Sequence, residues 1–72
     1  MNSREKANQA AAILRNEVFE ETIKNLKEDL IAQWTNAVES SERELCWLKL
    51  NALNSILEDL EATIYNDKIE NN

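Results

Sequence analysis

Residues 45–64 read LCWLKLNALNSILEDLEATI. Within this stretch Cys46, Leu50, Leu53, Leu57, Leu60 and Ile64 recur at alternating steps of four and three. That spacing lays one apolar seam along an α-helix, the kind of seam that meets a second helix. Leu45, Leu48, Ala52 and Ile56 broaden the stripe on one side. Such a helix must bury its face against something, so the stretch sets an all-α fold and asks where the partner helices come from.

The preceding segment supplies one. Phe19, Ile23, Leu26 and Leu30 keep the same rhythm, Trp34, Ala37 and Val38 extend it, and Val18 and Ile31 lie beside it. Glu17, Glu21, Lys24, Lys27 and Glu28 occupy the other face, and Glu20–Lys24 and Lys24–Glu28 are opposite charges four apart. An amphipathic helix from about Glu17 to Val38 is expected. Between the two segments stands ESSERE, residues 39–44. Ser41 followed by Glu44 has the form of a capping box, and acidic residues in a first turn suit the positive end of the helix dipole. A connection this short makes its two helices antiparallel neighbours. The second helix is expected from about Glu42 to Tyr65, with Asn66 as a left-handed terminator.

Ahead of this pair, residues 4–15 are rich in good helix formers, with Ser3 as the expected cap and Asn16 as a weak interruption and possible second start. The apolar residues here are mostly small: Ala7, Ala10, Ala11 and Leu14. Having little to bury, this segment is expected to fray or to order on a partner. The chain thus divides into a helical extension over 1–15, a helical hairpin over 16–68 and a disordered tail over 69–72.

Composition narrows the function classes. The 72 residues contain no glycine and no proline, which favours long unbroken helices and removes every Gly-rich phosphate-binding motif. One cysteine and no histidine exclude an intrachain disulfide and a closed zinc site. So small a domain needs some other staple, and oligomerisation remains. The net charge of −6, from 14 acidic and 8 basic residues, disfavours direct binding to nucleic acid or to an anionic membrane. No apolar run approaches the ~20 residues of a membrane span, and the N-terminus lacks the form of a signal peptide. An intracellular protein with a reduced thiol is the expectation.

Two paired helices bury one seam each, and here their flanks are apolar as well. Ile31, Trp34, Trp47, Leu48 and Ile56 are therefore the candidate residues of an oligomer or partner interface. Pairing two hairpins into a four-helix bundle is expected to cover both flanks; a fold-back of residues 1–15 into a three-helix monomer is the alternative. Trp34 and Trp47, at similar distances from the turn, read either as anchors for a partner or as filling for the closed end of the bundle, with core filling favoured for at least one. Cys46 lies on the seam with no base nearby and reads as a core thiol rather than a nucleophile. Glu58, Asp59 and Glu61, together with Glu20, Glu21, Glu28 and Asp29, form an acidic surface. It reads as a solvated face or as a docking surface for a basic partner, including mimicry of DNA phosphates. Arg43 is expected to pair with Glu39 or Glu44.

Phe19, Leu26-Lys27-Glu28, Trp34, Arg43-Glu44-Leu45 with Trp47, Leu53, Leu57, Leu60 and Ile64, in this order, resemble a group of small uncharacterised helical proteins encoded by tailed bacteriophages. The likeness covers about residues 16–68, with Asn66-Asp67 where that group has a glycine. It implies a phage protein acting in the infected bacterial cytoplasm or in virion assembly, and partners that are either a second copy or a host or virion protein. No catalytic residue, cofactor or metal is expected. The function expected is that of a non-enzymatic interaction protein; the alternative is an acidic inhibitor of a host defence or nucleic-acid enzyme.

Overall fold

The computed structural model describes residues 1–70, and the chain is helical almost throughout: α1 over Ser3–Arg15, α2 over Glu17–Asn36 and α3 over Ser40–Glu70. α3 has 31 residues, a rise of about 46 Å, close to the 50 Å longest dimension of the molecule. α1 and α2, with 13 and 20 residues, lie end to end along it. α2 lines the half of α3 nearest the reversal, where Cys46 Sγ stands 3.9 Å from Gln33 Oε1. α1 lines the other half, where Ser3 and Arg4 meet Asp67. α1 touches α2 only lightly. The result is a rod two helices thick, one arm unbroken and the other broken once.

The break is Asn16, which serves both neighbours. Its N–H donates to the Ile13 carbonyl at 3.1 Å, ending α1. Its side-chain oxygen accepts from Phe19 N–H at 2.9 Å, and its carbonyl accepts from Glu20 N–H at 2.9 Å, starting α2. The residue sits at φ −68°, ψ 124°, an extended conformation that bends the chain for a single step. Asn suits the position because its short amide replaces one of the donors' missing helical partners.

Several boundaries differ from those the sequence suggests. α1 is capped by Asn2, whose side chain accepts from Glu5 N–H at 2.8 Å while its amide donates to Glu5 Oε1 at 3.2 Å. The cap therefore lies one residue earlier than Ser3, and the Glu5 side chain pairs with the capping side chain itself. α2 stops at Asn36, two residues short of Val38, with Ala37 extended as its cap. α3 begins at Ser40, which places Ser41 inside the first turn rather than at the cap. Arg43 N–H bonds the Glu39 carbonyl at 3.3 Å. α3 also runs through Asn66 without any left-handed residue. It continues across Ile69 and Glu70, the first half of the expected tail; residues 71 and 72 lie outside the described residues. The extra turns have a cause: Asp67, past the expected end, is held by α1.

α1 itself is the larger correction. Ala7 and Ala10 are among the most buried residues of the chain, Ala10 only 4% exposed. Small side chains bury little area each, but they let two helix axes approach closely, and close approach is what covers them. What looked like a lack of material to bury is a tight-packing strip against the second half of α3.

Candidate interaction surface

A two-helix rod has a seam and no enclosed interior. Among the described residues the buried apolar side chains are Ala7, Ala10, Ala37 and Cys46, and no large side chain is fully buried. Leu50, Leu53, Leu57, Leu60 and Ile64 are half-buried on α3, as are Phe19, Ile23 and Leu30 on α2. The seam predicted from the four-three spacing is thus the seam observed. Cys46 sits within it as a free thiol.

Cys46 fixes the directions of its neighbours. One residue is a turn of about 100°, so with Cys46 on the seam Leu45 and Trp47 face opposite flanks. Trp47 shares a shallow groove with Leu30, Ile31, Trp34 and Leu50, so the two tryptophans do converge beside the reversal. Neither is core: Trp34 is 51% and Trp47 57% exposed. Further along the same flank a second hollow is lined by Leu14, Phe19, Ile23, Ile31 and Leu57, with Glu20, Lys24, Lys27 and Glu28 at its edge. The other flank holds a groove formed by Leu26, Leu30, Ala52, Leu53 and Ile56, with Asp29, Gln33 and Lys49.

The five interface candidates are therefore not one surface. Ile31, Trp34 and Trp47 belong to the first flank and Ile56 to the second. Leu48, two residues from Cys46, stands nearly opposite the seam and lines neither groove. All five are more than half exposed. The acidic candidates also divide. Glu58, Asp59 and Glu61 are all exposed, but Asp59 is turned about 100° from Glu58, toward the Ile56 flank, while Glu58 and Glu61 are neighbours one turn apart.

Two polar contacts escaped the sequence reading. Arg43 donates from Nη2 to the Ala37 carbonyl at 3.1 Å, satisfying the group at the end of α2 and pinning the three-residue link, rather than pairing with Glu39 or Glu44. Asp67 is buried to 9% exposure. It accepts from Ser3 Oγ at 3.2 Å and lies 3.4 Å from Arg4 Nε. Neither partner is visible by spacing, because 64 residues separate Ser3 from Asp67. The one available hint was an acid placed within the apolar rhythm three residues after Ile64.

Among the described residues no group of three His, Cys, Asp or Glu side chains is placed to hold a metal ion, and no helix is long and apolar enough to cross a membrane. Compared with protein families, curated proteins and solved structures, the chain matches none.

Proposed function

We propose that this protein is a non-enzymatic helical-hairpin module that acts through self-assembly and protein–protein contacts. The observation that carries the reading is the apolar exposure on both flanks: Leu26, Ile31, Trp34, Leu45, Trp47 and Ile56 are each 45% exposed or more. Contiguous apolar grooves of this kind mark contact surfaces, because water leaves them on association. The grooves are open furrows lined by aliphatic and aromatic side chains. The setting we propose, an infected bacterium, rests on the phage resemblance of residues 16–68.

Light scattering across protein concentration and salt tests the proposal. The expected result is a mass above that of one chain, insensitive to salt because the contact is apolar. A monomer at every concentration removes self-assembly and leaves contact with a different protein as the function. The acidic-inhibitor reading draws on the net charge of −6 and the adjacent Glu58 and Glu61. It requires binding to a basic partner that fades as salt rises and that reversal of Glu58, Asp59 and Glu61 to lysine abolishes.

A further inference from the structure

The chain exposes 5644 Å², whereas a compact folded chain of this length exposes about 4,600 Å². The excess of about 1,000 Å² is close to the ~800 Å² that each partner gives up in a standard interface. We infer that a second copy of this chain docks on the Leu26–Ala52–Ile56 flank, with both reversals at the same end of the bundle. This deepens the self-assembly reading above and rests on it.

The flank is chosen by its shape and its charges. Leu26, Leu45 and Ile56 are half exposed there, and Ala52 between them lets another helix come close. Its groove carries one acid, Asp29, on α2 and one base, Lys49, on α3. On the tryptophan flank, by contrast, two indoles protrude, and Glu20, Lys24, Lys27 and Glu28 edge the adjoining hollow. Among the described residues neither Asp29 nor Lys49 has a side-chain partner within its own chain.

Symmetry then sets the orientation. Gln33 stands opposite Cys46, so three residues further along the arms Leu30 stands opposite Lys49, and Asp29 lies level with Lys49 within about one residue's rise. Leu26, Leu45, Ala52 and Ile56 are centred near this same level, so a two-fold axis that overlays the apolar patch on itself passes here. Rotation about the long axis of the rod puts α2 over the partner's α3. Asp29 then faces the partner's Lys49, twice. Rotation about the perpendicular in-plane axis puts α2 over α2 and α3 over α3. It sets Asp29 against the partner's Asp29 and Lys49 against the partner's Lys49, two like-charge contacts. Only the first arrangement is self-complementary.

Sedimentation equilibrium on the full chain and on the variants Ile56→Glu and Trp47→Glu, with helicity followed by circular dichroism, tests the flank. The expected result is a dimer whose half-dissociation concentration rises at least tenfold for Ile56→Glu and less than threefold for Trp47→Glu, with helicity kept in both. The reverse ranking, or a dimer indifferent to Ile56→Glu, overturns the assignment while leaving self-assembly standing. A wild-type monomer overturns both.

For orientation, a spin label on Asn66→Cys in a Cys46→Ala background is read by pulsed EPR. Same-end packing holds the two labels within the width of the bundle, roughly 20–30 Å. The opposite arrangement separates them by about 50 Å, twice the rise along α3 from Lys49 to Asn66 at about 1.5 Å per residue. Asp29→Asn, made without any cysteine change, gives an independent reading. It weakens a same-end dimer several-fold and tightens the opposite one by removing a like-charge contact.

Discussion

Asp67 shows how one side chain extends an element. Its carboxylate receives the Ser3 hydroxyl and faces the Arg4 guanidinium, and with it α3 is carried past Asn66, where a terminator was expected. The Arg4 side chain is 62% exposed, so water screens much of the ion pair and the attraction alone is worth little. The hydrogen bond from Ser3 carries more, because it satisfies a carboxylate that is largely out of water. Asp67→Ala is expected to lower stability by about 1 kcal/mol. It should release the ends of α1 and α3 first, seen as loss of amide-exchange protection at residues 5–9 and 64–69 while residues 40–57 keep theirs. A uniform loss across the chain contradicts a local clamp. Asn16 is comparable at the other end of α1. Asn16→Ala removes the acceptor of Phe19 N–H and is expected to cost about 1 kcal/mol in a urea melt. An unchanged midpoint would mean that α1 and α2 fuse into one helix with no penalty.

At the scale of the elements, the long seam was the easiest feature to read. Cys46, Leu50, Leu53, Leu57, Leu60 and Ile64 announce α3 by spacing, and the absence of glycine and proline leaves little else for them to form. Asn16 was visible as an interruption for the same local reason. α1 was misjudged because sequence shows how much a side chain can bury, whereas docking depends on how close two backbones come. That is settled by the facing half of α3, far away in the chain. The role of Ala10 supplies the test. On a loosely attached extension Ala10→Leu adds apolar surface and is neutral or mildly stabilising. On a strip only 4% exposed it overpacks the contact and is expected to cost about 1–3 kcal/mol, measured as a lowered urea midpoint with α1 amides losing protection. An unchanged or raised midpoint would return α1 to the status of an extension.

The whole molecule is governed by having one seam and two flanks. Periodicity put Leu45, Ala52 and Ile56 on one side of the α3 seam but not the α2 residues that share their flank, since that depends on which residues meet across the seam. Once Cys46 is fixed there, Leu45 and Trp47 separate, and so do Ile56 and Ile31. A second hairpin can lie against only one flank of the first, so pairing cannot cover both, contrary to the simplest expectation from the sequence. The proposed self-assembly through the Ile56 flank would leave Trp34 and Trp47 on the outside of the bundle, where two half-exposed indoles beside a groove would have the form of an anchor site for a different protein. The thermodynamic consequence follows from mass action. If folding of this thin rod is completed by a second copy, dilution removes a ligand of the native state. The melting temperature should then rise with protein concentration by several degrees per decade. Trp47→Glu should keep that slope, and Ile56→Glu should flatten it at a lower temperature. A melting temperature independent of concentration in the wild-type chain would mean that the seam alone holds the rod, with both flanks left to other partners.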